Sequence, residues 1–111
     1  VTLQSELENF YGTQHYYKLN LTRIKCTDGV KFFAENGAAF WCVDDMCIMS
    51  IKLNQPFLAI TVTVKNNKAK IVYTDGNCNI LKTKRYGYTT LADGEYKFYC
   101  TDDVLMLSSE Y

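Results

Sequence analysis

Two hydrophobic rhythms divide this chain. Up to Pro56 apolar residues recur at helical steps, and from Phe57 they alternate with polar ones. Leu3, Leu7 and Phe10, with Glu6 and Glu8 between them, predict a short amphipathic helix that stops at Gly12. Leu19 to Thr27 reads as a short β-like segment. Asp28 is placed to cap a helix that begins at Gly29 or Val30, runs on through Lys31 to Glu35, and is stopped or kinked by Asn36-Gly37. Ala38 to Ile51 predicts a second helical block. There Phe40, Val43, Cys47 and Ile51 make one stripe, Trp41 and Ile48 widen it, and Asp44 and Asp45 fall on the opposite side.

Beyond Pro56 the alternation of Leu58, Ile60, Val62 and Val64 with Ala59, Thr61, Thr63 and Lys65 predicts a half-buried strand. Asn66-Asn67 then marks a hairpin turn, Ala69 to Thr74 a returning strand, and Asp75-Gly76-Asn77 another turn. Cys78 to Tyr88, Glu95 to Cys100 and Val104 to Leu107 complete the set of strands. The expected fold is α+β: N-terminal helices on one face of a four- to five-stranded antiparallel β-meander. It forms one domain over 1–111, with a helical half 1–56 and a sheet 57–111.

Composition narrows this picture. A chain of 111 residues that is 48% hydrophobic and holds one Pro can bury a single core and is not a disordered tail. The formal net charge is zero, so global charge points to no polyanion. The longest apolar stretch, Ala38 to Val43, is far too short to span a bilayer, and Val1 to Glu6 carries no basic, apolar leader. Cys26, Cys42, Cys47, Cys78 and Cys100 are odd in number and irregular in spacing, which argues for a reducing cytoplasm and for cysteines as small buried hydrophobes.

The local distribution of charge is uneven. Lys65, Lys68, Lys70, Lys82, Lys84 and Arg85 stand against Asp75 alone, whereas Asp93, Glu95, Asp102, Asp103 and Glu110 stand against Lys97 alone. One hairpin edge is therefore basic and the C-terminal hairpin acidic. By period two, Lys82, Lys84, Tyr86 and Tyr88 share a face, and basic and aromatic side chains together can track phosphates and stack bases. The plainer reading is a solvated face whose lysines discourage edge pairing. The acidic end could equally engage a basic groove on a partner by mimicking nucleic-acid phosphate.

Catalytic readings find little to build on. His15 is the only histidine and no Cys-x-x-Cys occurs, so neither a His-based metal cluster nor a thiol pair is expected. Cys42 and Cys47 splay around a helix, and a Cys–His nucleophile would need His15 beside one cysteine. Asp44 and Asp45, as helix neighbours, point apart. His15-Tyr16-Tyr17 reads as a surface loop or, more plainly, as tyrosines packed under the first helix, and Trp41 as core. No catalytic residue, metal or cofactor is expected.

Four strings carry a resemblance: Gly12-Thr13 to Tyr17, Thr27-Asp28-Gly29 to Gly37-Ala38-Ala39-Phe40-Trp41, Asp75-Gly76-Asn77, and Ser109-Glu110-Tyr111. Together they resemble an uncharacterised family of small, stand-alone bacterial proteins often found on phages, plasmids and integrative elements. The chain departs from that pattern at Cys42-Val43-Asp44-Asp45, where the family tends to be Leu-rich, at Ser108 in place of a Pro, and near Thr89-Thr90-Leu91, which lacks a Pro. Chain ends usually fray, so a fixed terminal motif suggests a docked one, with the Tyr111 ring buried.

The resemblance implies a cytoplasmic, non-enzymatic binding protein. The leading expectation is an inhibitor or modulator of a host CRISPR–Cas effector, anti-CRISPR-like, acting on a protein or guide-RNA surface. Its surfaces would be the Lys65–Arg85 basic hairpins and the acidic end, with Asp102, Asp103, Glu110 and Tyr111. The partner would be a host protein or ribonucleoprotein, with RNA contact and no membrane. The alternatives are a nucleic-acid-binding regulator using Lys82, Lys84, Tyr86 and Tyr88, and, further off, a cysteine-dependent enzyme.

Overall fold

The second helix begins one residue earlier than its sequence suggests. Thr27, not Asp28, is the cap: its backbone is extended and its Oγ1 accepts a hydrogen bond from Val30 N at 3.4 Å. The structure is a computed structural model that describes residues 3–10, 15–18 and 22–111. The Gly12 stop, the Gly12-Thr13 part of the first motif and the Leu19–Leu21 part of the β-like segment lie outside the described residues.

Helix α1 (Leu3–Leu7) is followed by the short strand β1 (Lys25–Cys26), then by helices α2 (Asp28–Asn36) and α3 (Phe40–Leu53). Gly37 caps α2 without a left-handed backbone; Ala38, at φ 52°, makes the left-handed step instead. Gly37 is needed for space, because a Cβ there would meet Leu3 at 2.8 Å and Leu91 at 2.9 Å. Asn54, in the left-handed conformation at φ 48°, closes α3 ahead of Pro56.

Strands β2 (Phe57–Lys65), β3 (Lys68–Thr74), β4 (Ile80–Tyr86), β5 (Gly94–Thr101) and β6 (Val104–Leu107) complete the fold. The α+β class holds, but the sheet is six-stranded and mixed, ordered β1-β6-β5-β2-β3-β4. Two expectations give way here. β1, inside the supposed helical half, pairs parallel with β6. The later strands do not meander: β5 returns to lie antiparallel beside β2, a Greek key. The segment from Gly87 to Asp93 makes that return across the β2–β3 turn, where Thr89 N donates to Asn67 O at 2.8 Å. Asn66 and Asn67 are both left-handed, as a tight hairpin requires.

The helices cover one face of this sheet. Leu58, Ile60, Val62 and Val64 of β2, Ala69, Ile71 and Tyr73 of β3, Tyr96 and Phe98 of β5, and Leu105 and Leu107 of β6 meet them in one core. Phe33 of α2 meets Phe98 edge to face at 5.0 Å and Tyr96 at a tilt at 5.4 Å between ring centroids. α3 is rotated from its expected stripe: Phe40 and Ile48 are each 44% exposed, while Asp45 and Ser50 are buried with Val43, Met46 and Cys47. The helix is apolar around most of its circumference, so the sheet rather than the periodicity selects its inner face.

Candidate functional site

The strand register divides the expected basic surface in two. Cross-strand partners share a face, so Lys84 opposite Ile71 and Lys82 opposite Tyr73 lie on the helix-covered side, as does Tyr86 opposite Ala69. The Lys82–Lys84–Tyr86 face is therefore no open nucleic-acid platform. Asp45, 7% exposed on α3, takes Lys84 Nζ at 2.7 Å and the Tyr86 hydroxyl at 2.6 Å. Burial first, and then the Asp45 carboxylate, push the Tyr86 phenol above its ordinary 10.0. Trp41 is half-buried at the edge of the core rather than within it and meets Tyr86 edge to face at 4.8 Å. Lys82 remains exposed at the sheet edge, and Tyr88 lies past β4 in the returning segment.

The other four basic residues gather on the open face. Thr63, Lys70 and Arg85 are successive cross-strand partners on β2, β3 and β4, and Lys65 faces Lys68 one step further along. Lys65, Lys68, Lys70, Arg85 and Gly87 line a shared groove of about 450 Å³. Two like-charge pairs, Lys70 with Arg85 and Lys65 with Lys68, thus stand directly opposite each other, an arrangement that costs stability. Glu95 stands across Thr63 on the same face and pairs with Lys97 at 3.5 Å; further ion pairs join Arg23 to Asp103, Lys31 to Glu35 and Lys84 to Asp45.

The acidic end is largely committed to the fold. Asp102 and Asp103 form the left-handed turn between β5 and β6. Asp103 pairs with Arg23 at 3.2 Å and accepts Lys25 N on its carbonyl at 2.8 Å, while Asp102 is exposed. Glu110 sits on the N-terminus of α2. Its Oε1 accepts from Thr27 Oγ1 at 2.6 Å and Leu107 N at 3.0 Å, and its Oε2 accepts from Gly29 N at 3.2 Å. Tyr111 does not bury its ring; it is 72% exposed and rests edge-on against Phe57 and Tyr99 at 5.7 and 5.2 Å.

The remaining candidates bring no reacting set together. Among the described residues no group of three or more His, Cys, Asp or Glu could hold a metal ion. None of the five cysteines is in a disulfide; Cys78 is exposed, against expectation, because it occupies the β3–β4 loop, and the other four are buried. Burial, and secondarily Asp45, push the Cys42 thiol far above its ordinary 9.0 and away from the nucleophilic thiolate. His15 lies 6.4 Å from Tyr17 between ring centroids. Asp75 ties its own turn by accepting from Asn79 and Asn77, contacts that lower its pKa, led by the Asn79 side chain. No helix among the described residues is long and apolar enough to cross a membrane.

The composite of Lys65, Lys68, Lys70 and Arg85 is what sequence alone did not isolate: all four were candidates, but grouped with Lys82 and Lys84. The model of a family of unknown function, DUF6876, matches residues 1–111, and the chain belongs to that family. No curated protein and no solved structure matches it.

Proposed function

We propose that this DUF6876 protein is a non-enzymatic binding protein whose open sheet face takes the phosphate backbone of a nucleic acid. The observation that carries the reading is the pair of like-charge contacts, Lys70 with Arg85 and Lys65 with Lys68, on one groove. A strand register that sets four cations on one face, with Glu95 across Thr63 the acidic side chain beside them, is unfavourable in isolation and becomes favourable when phosphates lie across it. Zero net charge confines the attraction to this patch.

The test is binding as a function of salt. With about four phosphates neutralised, at about −0.7 per phosphate on a single strand, log K should fall against log salt with a slope near −3. Lys70→Glu with Arg85→Glu should abolish binding, while Asp102→Asn should leave it intact. Salt-insensitive binding, or none, removes the reading. The narrower role expected from sequence, inhibition of a host CRISPR–Cas effector, would bring guide RNA to this same groove. Its test is a tagged pull-down from the host, where a stoichiometric ribonucleoprotein supports it and its absence counts against it.

A further inference from the structure

The upper end of β4 divides two grooves. The basic one opens on the free sheet face; the other, of about 320 Å³, is lined by Ala38, Trp41, Tyr86, Tyr88, Thr89 and Thr90. Tyr86 lines both, so the two are immediate neighbours. The second groove is aromatic, and two of its rings are already set in place. Trp41 projects from α3 and meets Tyr86 edge to face at 4.8 Å, and the Tyr86 hydroxyl is held on Asp45 at 2.6 Å. Rings fixed before a ligand arrives lose little freedom on binding it. The third ring, Tyr88, is 70% exposed in the returning segment. An open tyrosine next to a seated Trp–Tyr pair, bordering four clustered cations, matches the two halves of a nucleotide: a flat base and a charged phosphate.

Building on the phosphate-binding reading, we infer that the ligand is single-stranded nucleic acid, with its phosphates on Lys65, Lys70 and Arg85 and an unstacked base against Tyr88 and Trp41. A duplex offers phosphates to the basic groove but keeps its base faces stacked on one another, so only a single strand satisfies both grooves at once. Tyr86 serves as a positioning residue, tying the aromatic groove to the strand that carries Arg85.

Trp41 is the only tryptophan, so its emission reports the aromatic groove alone. The experiment titrates the intact protein with short oligouridylate and oligodeoxythymidylate, with a blunt duplex, and with inorganic polyphosphate. Both single strands, or one of them, should quench Trp41 and bind more tightly than the duplex, the difference between the two giving the sugar preference; polyphosphate should bind without quenching. Tyr88→Ala should weaken single-strand binding by about five-fold or more, as expected for one lost base stack. It should leave polyphosphate binding and the melting curve unchanged, and Tyr88→Phe should restore the affinity. If duplex and single strand bind equally with silent Trp41 emission and Tyr88→Ala has no effect, the stacking inference is overturned while the basic groove stands. If no polyanion binds, or Lys70→Glu with Arg85→Glu leaves all of them unaffected, the phosphate-binding reading falls and this inference falls with it.

Discussion

Thr27 and Glu110, 83 positions apart, share a 2.6 Å hydrogen bond from the Thr27 hydroxyl to Glu110 Oε1. The same carboxylate accepts from Gly29 N and Leu107 N. Two separated sequence motifs, Thr27-Asp28-Gly29 and Ser109-Glu110-Tyr111, are therefore one structural device: an acid docked on a helix N-terminus, where the backbone N–H groups lack intrahelical partners. Gly29 is its third part, because a Cβ there would come within 2.6 Å of Glu110 Oε1 and 2.5 Å of Leu107 Cδ1.

Removing either element should loosen the same latch. Glu110→Ala is expected to cost about 1.5–3 kcal/mol, the range for hydrogen bonds to a charged group. Gly29→Ala should cost about 1–3 kcal/mol by overpacking. Urea melts of the two single variants and the double should show a double cost well below the sum, since either change alone displaces the carboxylate. Full additivity would mean that the two act separately.

The Asp45–Lys84 pair should respond asymmetrically. Lys84, its side chain 34% exposed, can turn to water when Asp45 is replaced, whereas Asp45 at 7% cannot when Lys84 is lost. Lys84→Met should therefore destabilise by about 2–4 kcal/mol and Asp45→Asn by less. Asp45→Leu combined with Lys84→Met and Tyr86→Phe should recover much of that loss, because apolar groups in place of the buried pair carry no desolvation cost and Tyr86→Phe removes the hydroxyl that Asp45 accepted from. Chemical denaturation of the three variants decides; equal costs for the two single variants would refute the asymmetry.

Lys70→Glu should stabilise the fold while it harms binding. It converts the like-charge contact with Arg85 into an opposite-charge one, a gain of about 0.2–1 kcal/mol. A rise in melting temperature at low salt that shrinks at high salt is the expected signature. A fall would mean that Lys70 has a structural role of its own.

Thiol titration should count one fast cysteine. Cys78 is exposed, and Cys26, Cys42, Cys47 and Cys100 are buried. A thiol reagent should label Cys78 in the native protein and the rest only on unfolding, and Cys78→Ser should remove the fast phase. Rapid labelling of any buried cysteine would contradict the packing of α3 and β5 on the core.

Alkali should unfold the protein through its tyrosines. Burial first and Asp45 second raise Tyr73 and Tyr86 above 10.0, so these phenols keep their protons in the folded chain while the unfolded chain releases them. Their contribution is fully present below the unfolded value and is lost as pH rises above about 10. Stability should hold through neutral pH and decline beyond that point, and the decline should be smaller in Tyr86→Phe. An unchanged alkaline decline in that variant would exclude Tyr86 as a source.

The elements themselves were legible because their signals are local. Alternation from Leu58 to Val64 located β2, Asn66-Asn67 its turn, and Pro56 the end of the helical half, and each reflects what a few neighbouring residues can do with their own backbone. The candidate site was only partly legible. Lys65, Lys68, Lys70 and Arg85 were singled out by charge, but the face they occupy depends on register, and the β3–β4 ladder shifts between Tyr73 and Thr74. Leu81 is left over by that shift and packs against the core, so alternation read along β4 does not reveal which residues face outward.

The sequence by itself determined the α+β class, helices α2 and α3, the β2–β3 hairpin with its turn, and a surplus of positive charge between Lys65 and Arg85. Only the tertiary structure decided that β5 lies beside β2, that Asp45 turns inward to hold Lys84 and Tyr86, and that Glu110 closes on Thr27. The reason is physical. Periodicity states that an element has an inner face, but when a helix is apolar on most sides or a strand carries a bulge, that face is selected by burial against partners distant in the chain, and those contacts form only when the whole sheet assembles.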